Sequence, residues 1–322
     1  MPDPFLRNFG SPIYVDHISW LTVEDHLYTL DWPTPDDYFY VSPHIYMEDH
    51  YFGRVGTLTR SLMSDEKRLT AGDLALAVIG QLPTKGTWDM LILSQTCPER
   101  HALTAPLARM LETAPWQVLY PLALSHMGSL AATESIQAAQ WSLHQKDEAA
   151  IVLVEQRVLH EDHPSGYRGR TENEGEIADM AVALKAGLRE GALQVHYAGK
   201  RIMGQDEAGT FSSEVLEMVD EMMNGFEAEH IILQSRLGMR ISRNSIVQLG
   251  SSKTVCVPQT DYQSGDIWIQ LADKLQRGII LPNDRVLMLS WDGDRMISAC
   301  CVLVIHLPEL SKLTLNLEIK TP

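Results

Sequence analysis

The stretch Leu119–Gln140 reads L-Y-P-L-A-L-S-H-M-G-S-L-A-A-T-E-S-I-Q-A-A-Q and changes character in its middle. Its first part, with Val118 before it, is apolar and strand-like (Leu119, Tyr120, Leu122, Leu124); its second is a small-residue helix rich in Ala. Ser125, His126 and Gly128 fall on the junction. A sharp strand-to-helix turn lifts one side chain above a sheet, where helix-start N–H groups can stabilise an anion. Such a turn suits a nucleophile, and here Ser-His fills it rather than Cys.

The flanking sequence alternates strands and helices. Asp89–Gln95 (D-M-L-I-L-S-Q) and Ala149–Gln156 (A-A-I-V-L-V-E-Q) are the continuous apolar runs of buried parallel strands. Helices are expected over Thr70–Leu82, with Thr70 as N-cap, and over Leu103–Leu111. Ile13–Val23 has strand character, whereas residues 24–56 read as an irregular excursion. Residues 160–175 (H-E-D-H-P-S-G-Y-R-G-R-T-E-N-E-G) form a polar loop, the best boundary between halves at 1–172 and 173–322. A second alternation follows. Strands are expected over Ile177–Ala186, 192–204, His230–Gln234, Thr254–Val257, Arg285–Ser290 and Ser298–Ile305. Helices are expected over Ser212–Phe226, Arg236–Leu249 and Ile267–Arg277. This order specifies an α/β protein with a mostly parallel sheet.

Of the 322 residues 45% are hydrophobic and 21% charged, enough apolar material for a substantial core. The formal net charge of -16 repels a phosphate backbone and argues against nucleic acid as a partner. Cys97, Cys256 and the pair Cys300-Cys301 show no zinc or disulfide spacing. No run of about 18 apolar residues occurs, so no membrane span is expected. The N-terminus lacks the pattern of a signal peptide, which makes cytoplasm the expected compartment.

Four segments together resemble the β-ketoacyl-ACP synthase III family of thiolase-fold condensing enzymes. Asp89–Gln95 with its T-C-P turn is similar to the family's D-L-I-I-V-A-T-x-T-P, and Ala149–Glu155 to the next strand. Pro121–Gln140 resembles the nucleophile elbow, A-A-A-C-A-G-F and a small-residue helix, with His126 in the nucleophile slot. Gln276–Leu289 (Q-R-G-I-I-L-P-N-D-R-V-L-M-L) resembles R-D-G-R-I-K-P-G-D-L-V-L-L. The resemblance implies a five-layer αβαβα thiolase-like fold of two pseudo-duplicated halves. It also implies dimerisation across a strand near the elbow, and an acyl-phosphopantetheine thioester as ligand with no other cofactor.

The family works through Cys, His and Asn, and this chain departs at all three. No Cys occurs between Cys97 and Cys256. Gln234 stands where P-H-Q-A-N has its His, and no Asn occurs between Asn244 and Asn283, where G-N-T-S belongs. The Gly-rich C-terminal loop has become W-D-G-D-R-M (Trp291–Met296), and the G-D-G-A-G segment I-A-D-M-A (Ile177–Ala181). Thioester condensation is therefore not expected.

Ser125 with His126 is the elbow pair with nucleophile potential, yet adjacent residues point apart, which makes His126 a poor base for Ser125. His160, Glu161, Asp162 and His163 are metal-ligand types in a polar loop and read as a solvated surface, as do His44, Asp49 and His50. Arg236, Arg240 and Arg243, at i, i+4 and i+7, share a face of the expected helix. The resemblance implies that this face docks an acyl carrier protein. Cys300, Cys301 and the methionines Met218–Met223 are expected in the core.

Three functions follow. The first is a non-condensing subunit paired with an active ketosynthase III-like paralogue, as heterodimer, in polyketide or modified fatty-acid biosynthesis; a homodimer is the alternative assembly. The second is a Ser125-dependent acyltransferase or thioester hydrolase. The third is an acyl-chain or acyl-carrier binding protein.

Overall fold

The computed structural model describes residues 11–23, 71–84, 86–96, 106–125, 127–144, 147–155, 179–204, 210–250, 254–257, 260 and 262–313. The expectations for His44, Asp49, His50, the 160–163 cluster, Cys97 and His126 lie outside these residues.

The strands are β1 (Ile13–Val23), β2 (Thr87–Gln95), β3 (Gln117–Ser125), β4 (Glu148–Glu155), β5 (Asp179–Gly187) and β6 (Leu193–Ile202). They continue with β7 (His230–Leu233), β8 (Thr254–Cys256), β9 (Arg285–Trp291), β10 (Met296–Val304) and β11 (Glu309–Leu313). The helices are α1 (Ala71–Ile79), α2 (Pro106–Thr113), α3 (Ala131–Ser142), α4 (Thr210–Phe226), α5 (Ser235–Arg240), α6 (Arg243–Leu249) and α7 (Asp266–Gln276).

The strand order is β3-β2-β4-β5-β1-β6-β10-β9-β7-β8, with β11 added to β1. Reading inward from each end gives one pattern twice: β3-β2-β4-β5-β1 and β8-β7-β9-β10-β6. The first three strands of each set are parallel, and the fourth and fifth each run antiparallel to the strand before. The two sets meet in three residue pairs between Ile13–Val15 and Leu193–Val195. The strand expected over Ile177–Ala186 as the opening of the second half is therefore the fourth strand of the first set. Its antiparallel pairing with β4 and β1 is a long-range property that local periodicity does not carry.

Three buried clusters define five layers. One lies between α1 and α2 and the first strand set (Leu74, Val78, Trp88, Leu91, Met110, Val152). A second joins both strand sets to the central helices α3 and α7 through Ile92, Ile136, Ile151, Ile232, Trp268 and Met288. The third lies between the second set and α4, α5 and α6 (Phe211, Val215, Met218, Leu237, Leu249, Leu289). This is an αβαβα arrangement. It follows from strands that are apolar on both faces, since each face has to be covered by helices. Met218, Cys300 and Cys301 are core, as expected.

Candidate functional site

The carboxyl ends of the parallel strands carry several of the buried polar residues. Alternation along each strand decides their direction. Ile92, Ile151, Ile232, Met288 and Cys300 face the central layer, so Ser94, Glu155, Gln234, Ser290 and Ser298, two or four residues away, face it too. All five are buried. The central helices answer with Ser129, Thr133, Gln263, Ser264 and Asp266, also buried.

The elbow forms as the sequence suggests, with Ser125 the last residue of β3, half-buried and in register with Gln95 of β2. After it Gly128–Leu130 make a 3-10 turn that runs into α3. Gly128 has φ +56, and a Cβ on it would lie 3.2 Å from the Asp292 carbonyl oxygen. Backbone conformation and close approach thus both call for glycine here. The contact seats the elbow against the Trp291–Met296 hairpin turn, where the Asp292 carboxylate accepts the N–H groups of Asp294 (2.8 Å) and Met296 (3.0 Å).

Gln234 follows β7 and is fully buried. Its Oε1 accepts the Trp291 N–H at 2.8 Å, and its own N–H donates to the Leu289 carbonyl at 3.0 Å. The neighbouring Ser235 N–H donates to the Asp266 carboxylate at 2.5 Å. Gln263, not singled out in the sequence, opens the turn before α7 with φ +49, and its Oε1 accepts from the Ser129 hydroxyl at 3.4 Å. It occupies the place that the resemblance assigns to G-N-T-S. The available signal was Y-Q-S-G-D before an amphipathic helix; a search for Asn alone passes over it.

Glu155 was also missed, although a lone carboxylate closing an apolar strand is a visible anomaly. Its Oε1 accepts the Thr96 N–H (2.8 Å), the Thr96 hydroxyl (2.6 Å) and the Ser264 hydroxyl. One buried carboxylate therefore ties the ends of β2 and β4 to the turn holding Gln263. On the other side of α3, Glu134 accepts from Tyr197 (2.7 Å) and Lys200 (3.1 Å). Burial, and then the Glu134 hydrogen bond and charge, hold the Tyr197 phenol far above its usual range, so it stays a donor.

No described thiol is activated. Burial raises Cys256, pushes Cys301 up to about 12 and places Cys300 well above the ordinary range, so all three are protonated at neutral pH. The described residues also hold no group of three potential metal ligands and no helix long and apolar enough to cross a membrane.

The arginine face is corrected. The helix expected over Arg236–Leu249 is two helices, with Arg236 and Arg240 on α5 and Arg243 opening α6. Ser242 ends the continuity: it leaves helical geometry (ψ 148) and its hydroxyl accepts the Ser245 N–H at 3.1 Å, an N-cap that starts a new helix. Arg240 lies over the Phe211 ring at 5.8 Å, and the Arg236 guanidinium sits at the Gly293 turn. Arg240 and Arg243 are exposed.

No protein-family model and no curated protein matches the chain. Solved structures do. The acyltransferase ChlB3 superposes with a TM-score of 0.61 at 12% identity, over 92% of this chain and 98% of that one. A variant of Xanthomonas campestris OleA gives 0.60 at 13%, over 92% and 99%. The 3-oxoacyl-(acyl carrier protein) synthase III FabH of Xanthomonas oryzae pv. oryzae gives 0.58 at 13%, over 91% and 99%. The doubled strand order, the central helix pair and these superpositions agree: this chain has the thiolase-like fold of the ketosynthase III-like enzymes.

Proposed function

We propose that the chain is a non-condensing ketosynthase III-like subunit, which pairs with a catalytically complete paralogue in fatty-acid or polyketide biosynthesis and shapes the partner's acyl pocket. One observation carries the reading. Where the resembled condensing enzymes have their proton-transferring His, this chain sets the amide of Gln234, and Gln263 stands at the place of their Asn. Neither takes up a proton at neutral pH, so neither serves as a general base.

The fold supports the ligand class: an OleA structure of this fold, 12% identical, holds lauric acid and lauroyl-CoA. The partner surface is supported by β3, which ends the strand order among the described residues and exposes Leu119 (57%) and Tyr120 (72%). An unpaired strand edge with apolar side chains is a template for a second chain.

The test is intact-protein mass spectrometry after incubation with acyl-CoA and acyl-carrier thioesters, with and without the paralogue. We expect no adduct on this chain, and acylation of the paralogue's cysteine within a stable complex. The presence of an acyltransferase, ChlB3, among proteins of this fold favours a second reading, acyl transfer through Ser125. An adduct mapped to Ser125 and abolished by Ser125→Ala would establish that reading and displace the first.

Arg240 and Arg243 supply positive charge on an acidic chain. As part of this proposal they dock the carrier protein. Reversing both charges (Arg240→Glu with Arg243→Glu) should weaken carrier binding roughly tenfold, mostly through slower association and most at low salt. An unchanged affinity removes the docking role.

A further inference from the structure

We infer that the buried polar layer at the strand ends takes a neutral carbonyl, the acyl carbonyl of a thioester or an amide, and discriminates against a carboxylate. The inference rests on the proposed reading of this site as an acyl-binding one and names the group that it selects.

The first observation is a fixed, unused donor. The Gln234 amide cannot be turned over, because only its oxygen can accept the Trp291 N–H at 2.8 Å. The other end of the amide is thereby a nitrogen, fully buried and without an acceptor among the described residues. A buried donor left unsatisfied carries an uncompensated desolvation cost, which an incoming acceptor recovers. The hydroxyls of Ser94 and Ser290, on the same side of their strands, are buried and unpartnered as well. These three groups lie at strand ends on either side of the central helices, Ser94 on the first strand set and Gln234 and Ser290 on the second.

The second observation is the sign of the charge around them. Besides Glu134 on α3, the layer holds the carboxyl groups of Glu155 and Asp266, and Asp266 is bonded to the residue next to Gln234. Among the described residues, Lys200 is committed to Glu134 at 3.1 Å and Arg236 is turned to the Gly293 turn. An entering carboxylate would be set beside two further carboxyl groups where little water screens them. A carbonyl oxygen accepts the Gln234 N–H without that cost. The replacement of a titratable residue by glutamine in the His slot therefore yields a binder of uncharged acyl groups that would reject a malonyl-type acid.

Three probes test this on the full chain by titration calorimetry: the ketone (carba) analogue of decanoyl-pantetheine, decanoic acid, and malonyl-pantetheine amide. At about pH 8 the ketone analogue should bind at least ~10-fold more tightly than either acid. Gln234→Glu keeps an acceptor for the Trp291 N–H but replaces the donor by a carboxylate. It should weaken the ketone analogue by about tenfold or more at pH 8, with partial recovery near pH 5 as the introduced carboxyl is protonated and can donate. A purely structural role for Gln234 predicts no such recovery. If that variant does not fold, Ser290→Ala, a smaller change, should weaken the ketone analogue several-fold. Equal binding of acid and ketone, no effect of either substitution, or no binding of any probe to the unaltered chain would overturn the inference. The partner-supporting role stands or falls separately, on acylation of the paralogue's cysteine.

Discussion

Glu155→Ala should destabilise the chain by about 3–5 kcal/mol, read as a lower urea midpoint at an unchanged slope. The carboxylate is 1% exposed and receives one N–H and two hydroxyls, from Thr96 and Ser264. Its removal strands those donors in a dry interior and leaves a cavity. Glu155→Gln keeps one acceptor oxygen and should cost roughly 1–2 kcal/mol. If both variants melt at the unaltered midpoint, the strand ends and the Gln263 turn are held by something else, and Glu155 is not their tie.

The second large effect concerns assembly. Leu119→Asp combined with Tyr120→Asp should weaken association with the paralogue, or self-association, by about 100-fold or more, measured by sedimentation. The monomer should keep its melting point, because both side chains are more than half exposed in the isolated chain. Charges on an edge strand oppose pairing with a second strand without disturbing the strand's own sheet. A double variant that still sediments as the assembled species would take β3 out of the interface.

Much of the fold was legible because buried parallel strands announce themselves. The apolar runs at Asp89–Gln95 and Ala149–Gln156 became β2 and β4 almost residue for residue. The strand-to-helix change around Ser125 became an elbow because Gly128 supplied the positive φ. What stayed hidden was set by contacts between distant segments. Nothing in Ile177–Ala186 tells that β5 closes the first strand set. Its antiparallel place depends on registers with Glu148–Glu155 and with residues near the chain's start. The break at Ile241–Ser242 was obscured because arginines at helical spacing gave a continuous periodicity, while a single hydroxyl decided the matter.

The site divides the same way. The place of Gln234 directly after β7 was legible from its neighbours in sequence. Gln263 was not, because its role follows from a left-handed turn and a contact with Ser129 across 134 residues. The partnership of Gln234 with Trp291, 57 residues apart, was equally out of reach. Residue identity shows where the side chains depart from the resembled motifs; only the fold shows what they bind to.

The short seam between the strand sets has a consequence for how this protein is made. β1 meets β6 in only three residue pairs, and the rest of that edge, His17–Leu21, is covered by β11. His17 hydrogen-bonds Ser311 across 294 residues of chain and Glu309 across 292. A ribosome working at about 5–20 residues per second would hold β1 with half an edge bare for tens of seconds before β11 emerges. During that interval a chaperone, or a second nascent chain, competes for the same backbone groups that β11 finally takes.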